Sequence, residues 1–203
     1  MRCIRVVVAL ATSLLTGLVF AQGLQVEPYT YRSELSRYYA GGELLEALRY
    51  RGPDHSTRVF AIGFDNDRSL HAYGLLEDHG GFLTRWEIKE PGNPFCDTQP
   101  WTDRMGVQEP LGDGQALALL AYTMRCNGIN PTQIKLIMVY RDRRYTILGH
   151  LPDEPDVDLT PKANADFAEL PPRVQKFAWD YWAAFEQEAA KRLVPVSQAE
   201  HRH

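Results

Sequence analysis

The sequence has few cysteines and lacks the common catalytic motifs. Only three of its 203 residues are cysteine, which indicates neither a disulfide-dense scaffold nor a cysteine-rich zinc site. It contains no Gly-x-Ser-x-Gly elbow, no glycine-rich phosphate loop and no His-x-x-x-His pair. Those are local signatures of serine hydrolases, nucleotide-binding proteins and zinc enzymes. The sequence therefore identifies no reaction, and binding is favoured over catalysis.

Residues 1–21 are predicted to be a secretion signal. Arg2 and Arg5 precede the apolar run Val6–Phe20, and cleavage is expected after Ala21. An uncleaved anchor is the alternative, but this run is shorter than the roughly 20 residues that a membrane-spanning helix needs. No later run is long and apolar enough to span a membrane. We expect the mature chain, from Gln22, to be exported to the periplasm or the extracellular space.

The composition is that of one mildly acidic globular domain. The chain has 26 acidic and 22 basic residues, a net charge of −4, and loss of two arginines with the signal makes it −6. This balance argues against nucleic acid or an anionic membrane as the main partner. Residues 22–195 are enough for one domain with a core, and residues 196–203 are expected to form a flexible tail.

The two cysteines left after export are predicted to form a disulfide. Cys96 and Cys126 are an even pair in an oxidising compartment. Closing a loop of this length stabilises a fold by about 3–4 kcal/mol. Cys126 ends a predicted strand and Cys96 lies in the irregular connection Pro91–Pro110. The bond is therefore expected to tie that connection to the sheet.

Alternating apolar residues predict an antiparallel sheet in the middle of the chain. The predicted strands are Arg58–Phe64, Ser69–Leu76, Phe82–Lys89, Ala116–Cys126, Ile134–Tyr140 and Arg144–His150. Ala116–Cys126 does not alternate and is nearly all apolar, as expected of a central strand with both faces covered. In Phe82–Lys89 the pattern places Phe82, Thr84, Trp86 and Ile88 on one side. The segment Glu43–Tyr50 has good helix formers but is equally compatible with a strand.

The C-terminal segment predicts an amphipathic helix. Apolar residues recur at intervals of three and four after Pro171-Pro172, at Val174, Phe177, Ala178, Tyr181, Trp182, Phe185 and Ala189. We expect this stripe to pack on the sheet. The predicted fold is α+β, a mainly antiparallel, meander-like sheet of about six or seven strands packed by a C-terminal helix.

Trp101 and Asp97 are the candidate ligand-binding residues. Trp101 follows Cys96 in the irregular connection, and an exposed indole there provides a stacking surface for a sugar or a protein partner. The alternative is that this loop folds back over the core. His71, His79 and His150 are interpreted as structural. Acidic positions such as Asp65–Asp67 and the loop from Asp153 to Asp158 are usually solvated turns.

The central residues resemble a known family. They are Arg85-Trp86-Glu87-Ile88, Phe95-Cys96-Asp97, Met124-Arg125-Cys126-Asn127, Asn130-Pro131-Thr132, Ile134-Lys135-Leu136-Ile137-Met138 and Tyr145, with Pro171-Pro172, Phe177-Ala178, Trp182 and Phe185 near the C-terminus. This order resembles an uncharacterised family of exported bacterial proteins that often carry the label of surface polysaccharide biosynthesis protein. The resemblance implies a secreted β-rich domain without an assigned activity.

The resemblance also implies an acidic loop similar to calcium-binding loops. The corresponding positions are Glu109-Pro110-Leu111-Gly112-Asp113-Gly114, in which Glu109 and Asp113 retain oxygen-bearing side chains. Calcium takes six to eight oxygen ligands. A glycine turn without metal is therefore favoured, and calcium at Glu109 and Asp113 is the weaker hypothesis.

Three functions follow from these observations. The leading hypothesis is a non-catalytic envelope or extracellular module that binds a glycan or an envelope protein. The alternative is a hydrolase of cell-wall or polysaccharide material, with acids such as Asp78 and Glu87 or those of the 153–158 loop. A structural or inhibitory envelope protein is the second alternative.

Overall fold

The computed structural model describes residues 23–39, 42–126, 131–153 and 158–194. The first strands are β1 (Val26–Pro28), β2 (Glu43–Arg51), β3 (Thr57–Phe64), β4 (Leu70–Asp78) and β5 (Gly81–Glu90), with helix α1 (Arg32–Leu35) after β1. They are followed by β6 (Cys96–Pro100), β7 (Gly106–Gln108), β8 (Leu117–Cys126), β9 (Gln133–Tyr140), β10 (Arg143–His150), β11 (Lys162–Ala163) and helix α2 (Pro172–Leu193). The predicted signal and the predicted tail lie outside the described residues.

The eleven strands form two antiparallel sheets. Sheet 1 is a meander in the order β1-β2-β3-β4-β5, and sheet 2 has the order β11-β10-β9-β8-β6, with β7 also paired to β8. The predicted class, a mainly antiparallel β fold with a C-terminal helix packed on it, is confirmed. The strand count exceeds the predicted six or seven because β1, β6, β7 and β11 have two to five residues, too few for a clear alternating pattern.

The two sheets stack face to face around a shared core. Side chains from both sheets meet there, among them Phe60, Ile62 and Ile88 from sheet 1 and Leu120, Ile137 and Val139 from sheet 2. Helix α2 covers the other face of sheet 2, and α1 with the residues around it covers the other face of sheet 1. Sheet 2 is therefore buried on both faces at β8 and β9, which explains their nearly continuous apolar sequences.

The segment that allowed both a helix and a strand is a strand. β2 pairs with β3 over its length, with an irregularity between Leu44 and Glu46, and with β1 on its other side. Pairing on both edges outweighs the helix propensity of its leucines and alanine, because propensity is small beside tertiary contacts.

The predicted single apolar face of β5 is wrong at Phe82 and Thr84. Trp86 lies opposite Gly74, but Thr84 lies opposite Leu75, so Arg85 is an extra residue in the strand. Such a bulge reverses the side on which the preceding residues point. Trp86 consequently packs between the sheets, whereas Phe82 packs on the outer face of sheet 1.

The cysteine pair joins two neighbouring strands. Cys96 and Cys126 are direct partners in the register of β6 and β8, and their sulfur atoms are bonded. The predicted disulfide is therefore confirmed. The segment after Cys96 is not irregular, since it forms edge strand β6, and the bond closes the end of a strand pair. The turn residues that follow Cys126, Asn127 and Gly128, lie outside the described residues.

Helix α2 agrees with its predicted stripe. Five residues of that stripe are buried against sheet 2, namely Val174, Ala178, Trp182, Phe185 and Ala189. The Trp182 ring lies so close to Gly149 of β10 that a Cβ atom there would be 2.7 Å from it, which explains a glycine inside that strand. In the described part of the chain, no helix is both long and apolar enough to cross a membrane.

Candidate functional site

Trp101 is not the exposed ring that a stacking surface needs. Its side chain is 3% exposed, and its Nε1 donates a 3.2 Å hydrogen bond to Oγ1 of Thr123 in β8. Phe185 of α2 meets it edge to face, with 5.4 Å between ring centroids. The loop folds back over the core, as the alternative reading of the sequence had it, because the indole completes the apolar layer between sheet 2 and α2.

The remaining face of Trp101 is covered by the last turn of α2. The guanidinium of Arg192 lies 4.6 Å from the ring centroid and donates to Asp103 at 2.8 Å. Arg192 also pairs with Glu188, which accepts a 2.7 Å hydrogen bond from Nε of Arg104. This network fixes the loop after β6 to the helix and leaves no open ring face.

Asp97 is solvated, unlike Trp101. Its side chain is 80% exposed, and Nη1 of Arg68 lies 3.4 Å from its Oδ1. The stronger contact of Arg68 is with the carbonyl oxygen of Cys96, at 2.7 Å. Trp101 is buried and Asp97 is exposed, so the two residues form no common site.

Glu109 and Asp113 hold a turn in place. Glu109 accepts a 2.6 Å hydrogen bond from the amide of Leu24 and another from the amide of Gly114. Oδ1 of Asp113 accepts from the amide of Gln115 at 3.0 Å. Within the described ranges, no group of three or more His, Cys, Asp or Glu residues is arranged to hold a metal ion. The two carboxylates stabilise the turn by accepting hydrogen bonds from backbone amides.

Asp78 and Glu87, the described acid pair of the hydrolase hypothesis, do not converge. In the β4–β5 hairpin, Asp78 lies opposite Gly81 while Glu87 lies opposite Tyr73, five positions away along β4. Oε1 of Glu87 accepts a 3.1 Å hydrogen bond from the Tyr73 hydroxyl. In the acidic loop, Asp153 caps the backbone amide of Thr132, and Glu154 and Asp156 lie outside the described residues.

His71 is a buried histidine with one acidic neighbour. Its Nε2 lies 2.8 Å from Oδ2 of Asp65, a distance that fits an ion pair, although the direction of this contact misses hydrogen-bond geometry. Its ring stacks parallel to that of Tyr73. Because the side chain is almost fully enclosed, His71 does not open onto a ligand cleft in the described structure.

Glu90 is a buried carboxylate that pairs with two cations. Located at the end of β5, it accepts hydrogen bonds from the Tyr122 hydroxyl at 2.6 Å and the Lys135 ammonium at 2.5 Å, and from the Arg144 guanidinium. Burial by itself raises the pKa of Glu90, but the two hydrogen bonds and the charges of Lys135 and Arg144 outweigh it and lower the pKa. Burial and the Glu90 hydrogen bond raise the pKa of Tyr122. Glu90 thus links sheet 1 to three strands of sheet 2.

A surface with features of a ligand site lies elsewhere, on the outer face of sheet 1. Four rings form a row there in the order Tyr31, Tyr29, Phe82 and Tyr38, with neighbouring centroids 6.1, 6.0 and 5.4 Å apart and each pair edge to face. These separations are in the favourable range for aromatic pairs. We refer to these four residues as the aromatic ladder.

The bulge in β5 and a glycine position the aromatic ladder. The extra residue Arg85 turns Phe82 outward, so that it meets Tyr29 from the strand β1 region and Tyr38 from the segment after α1. A Cβ atom at position 81 would lie 2.5 Å from the Tyr38 hydroxyl. Gly81 therefore lets Tyr38 lie close against the hairpin.

One end of the aromatic ladder is open to solvent. Tyr31 is 62% exposed, while Phe82 and Tyr38 are half-buried and Tyr29 is buried. The Tyr29 hydroxyl donates a 2.9 Å hydrogen bond to Oε2 of Glu34. Burial, followed by this hydrogen bond, raises the pKa of Tyr29 to about 12, so the hydroxyl remains a donor at neutral pH.

A cleft of about 400 Å³ adjoins the aromatic ladder. Its lining combines the half-buried rings with polar groups of α1 and the hairpin turn, namely Ser33, Glu34, Arg37, Tyr38, Gly80, Gly81 and Phe82. This volume lies in the range of ligand sites, and the lining is mainly polar apart from the Phe82 and Tyr38 rings. The arrangement provides ring surfaces next to one carboxylate and one guanidinium.

Sequence reasoning missed this site because its parts are distant in the chain. Tyr29 and Tyr31 lie in a polar segment without periodicity, and Phe82 is in a strand whose alternation assigns it to the core. The available signal was the number of aromatic residues in a segment with no core-forming pattern.

No family model, curated protein or solved structure matches this chain.

Proposed function

We propose that the protein is an exported, non-catalytic binding protein and that its ligand is a glycan held at the aromatic ladder and its cleft. The observation that carries this proposal is a row of rings in which the buried Tyr29 joins the exposed Tyr31 to Phe82 and Tyr38, the two half-buried rings that line a cleft of about 400 Å³.

The chemistry of the cleft suits a sugar. The C–H faces of a pyranose are apolar, and rigid aromatic rings provide matching area at a small cost in conformational entropy. Sugar hydroxyls need acceptors and donors at the edge of that surface, which Glu34 and Arg37 supply. Charge-assisted hydrogen bonds of this kind are about twice as strong as neutral ones.

A hydrolytic role has less support. Glycoside hydrolysis normally uses two carboxyl groups that flank the scissile bond. Among the described residues that line the cleft, Glu34 is the one carboxylate. The cleft therefore favours retention of a glycan over its cleavage.

The export part of the proposal is supported by the cysteines and the N-terminus. The Cys96–Cys126 bond is of a kind that persists in oxidising compartments. Arg2 and Arg5 before an apolar run have the pattern of a secretion signal. A polysaccharide-rich envelope is the setting in which a glycan-binding protein of this type operates, and the resemblance to a family labelled for surface polysaccharide biosynthesis agrees with it.

The test is a thermal melt of the chain from Gln22, without reductant, against a panel of cell-wall and capsule glycans. We expect one glycan class to raise the melting temperature, since a ligand that binds only the folded state stabilises it. Tyr31→Ala is then expected to lower the affinity for that glycan by about two- to tenfold.

The matched control is Phe95→Ala. Phe95 is 73% exposed and lies outside the aromatic ladder, so its removal should leave the affinity unchanged. The proposed site would be rejected if no glycan of the panel raised the melting temperature. It would also be rejected if Tyr31→Ala and Phe95→Ala lowered the affinity equally.

A further inference from the structure

One side of β10 extends beyond the cover of sheet 1. Successive residues of a strand point to opposite faces, and the buried Tyr145 and Ile147 face α2. The intervening residues therefore face the side on which sheet 1 packs, and they are exposed or half-buried: Arg144, Thr146, Leu148 and His150. Sheet 1 ends at β5, whose Glu90 reaches Lys135 and Arg144. The described part of sheet 1 leaves this face of β10 uncovered. We call this face, together with Lys162 of β11, the shelf.

Register brings lysines to the shelf from both sides. Lys162 of β11 lies opposite Leu148 of β10, and Leu148 lies opposite Lys135 of β9. Directly opposed residues in a sheet point to the same face. Leu148 is therefore flanked by two ammonium groups across three strands.

A cleft lies at the His150 end of the shelf. It has a volume of about 340 Å³ and is lined by Pro131, Leu148, His150, Asp158, Thr160 and Lys162. Leu148 and Pro131 provide an apolar surface, and the other groups offer hydrogen-bond donors and acceptors. The shelf and this cleft together form a continuous surface with an apolar floor and a polar border.

Among the described residues that form this surface, cations outnumber carboxylates by three to two. Lys135, Arg144 and Lys162 face two carboxylates, Glu90 and Asp158, which pair with them. The chain as a whole has a net charge of −4. A local excess of cations in an acidic protein attracts an anionic ligand.

Arg144 has donors available for such a ligand. It gives Nη2 to Glu90, while its Nε and Nη1 make no hydrogen bond to the described residues, and its side chain is 43% exposed. Two nitrogens of one guanidinium match the two oxygens of a carboxylate. Glu90 holds Arg144 from one side and so reduces the entropy lost when a ligand binds the other.

We infer that the shelf binds a carboxylate-bearing glycan, such as a chain of uronic acids. A carboxylate of the ligand pairs with Arg144, a second lies near Lys162, and a sugar face covers Leu148. An extended acidic peptide fits less well, because β11 has two residues and offers almost no strand edge for backbone pairing. The shelf shares no residue with the aromatic ladder, so the two sites succeed or fail separately.

The experiment is calorimetric titration of the chain from Gln22 with an oligogalacturonate. We expect binding that weakens with added salt, since half-exposed charges are screened. Arg144→Gln and Lys162→Gln are each expected to weaken it by roughly tenfold, the usual effect of losing a hydrogen bond to a charged group. The same oligomer with its carboxyl groups reduced to alcohols should bind at least tenfold more weakly.

Lys176→Gln is the matched control. Lys176 pairs with Asp180 four residues away, as Lys162 does with Asp158, and both lysines are highly exposed. Lys176 belongs to α2, away from the shelf, so its loss should leave the affinity unchanged. The inference is overturned if the oligogalacturonate does not bind, if its reduced form binds equally, or if Lys176→Gln weakens it as much as Lys162→Gln. Equal binding of polyglutamate would overturn the assignment to a glycan.

Discussion

The hydroxyl of Tyr122 in sheet 2 donates a 2.6 Å hydrogen bond to Glu90 in sheet 1. Glu90 is the last residue of β5, and its carboxylate also accepts from Lys135 of the neighbouring strand β9. A buried carboxylate is costly unless it is paired and hydrogen-bonded. This contact therefore connects the stacking of the two sheets to the charge state of one side chain.

Removing the Tyr122 hydroxyl should destabilise the fold. Tyr122→Phe leaves a buried carboxylate with one fewer donor, for which we expect a loss of about 1–3 kcal/mol in the free energy of unfolding. Tyr31→Phe removes a hydroxyl from an exposed ring and should change it by less than about 0.5 kcal/mol. Urea denaturation measures the free energy of unfolding of both variants. If Tyr122→Phe were as stable as Tyr31→Phe, the buried Glu90 carboxylate would not depend on the Tyr122 hydroxyl.

Glu90 and its partners should make the free energy of unfolding depend on pH. The pKa of Glu90 in the folded state is below its ordinary value of 4.5, so its contribution is complete above pH 4.5 and is lost as the pH falls through the folded pKa. Asp54 and Asp158, each with a pKa lowered to about 2, titrate in an overlapping range. The diagnostic quantity is therefore the difference between wild type and Glu90→Gln.

That difference should be large at pH 7 and shrink as the pH falls below 4.5. Denaturant midpoints at several pH values measure it. A difference that stays constant from pH 7 to pH 2 would show that Glu90 is not preferentially ionised in the folded protein.

Replacing Trp101 should affect stability and leave glycan binding intact. The indole is buried between Thr123, Phe185 and Arg192, so Trp101→Ala is expected to cost about 3–5 kcal/mol of unfolding free energy. At a temperature where the variant remains folded, its affinity for a ladder ligand should equal that of wild type. A specific loss of affinity with unchanged stability would restore Trp101 as a ligand residue.

Loss of the disulfide should weaken the protein without changing its fold. Cys96 and Cys126 are 30 residues apart in sequence, and removing such a crosslink costs about 3–4 kcal/mol in the chain-entropy model. The double variant Cys96→Ser, Cys126→Ser is compared with wild type. Thermal melting measures the loss of stability, and circular dichroism tests whether the fold is retained. A double variant as stable as wild type would show that strand pairing alone holds β6.

Patterns confined to one segment allowed correct predictions. Helix α2 follows from apolar spacing within its own sequence, strand β9 follows from alternation, and β10 follows from the short turn after β9. The orientation of Phe82 did not follow, because one extra residue, Arg85, reverses the pattern and is visible only in the register with β4. A glycine often marks a bulge, but the extra residue here is an arginine, so the local sequence does not reveal it.

The sequence also did not predict the positions of side chains that depend on distant segments of the chain. Trp101 is buried because Phe185 and Arg192 from α2 close over it, and its own surroundings in the sequence do not indicate this. The aromatic ladder joins Tyr31 to Phe82 and Tyr38 through sheet packing. Contacts of this kind are set by the tertiary structure, whereas sequence patterns report local conformation.

The most direct test of glycan binding at the aromatic ladder is an NMR titration that follows the ring protons of the chain from Gln22. The glycan that raises the melting temperature is the ligand. Shifts concentrated on Tyr31, Phe82 and Tyr38, with Phe95 unaffected, are the predicted result. Shifts that leave these three rings unchanged while other residues respond would contradict the proposed site.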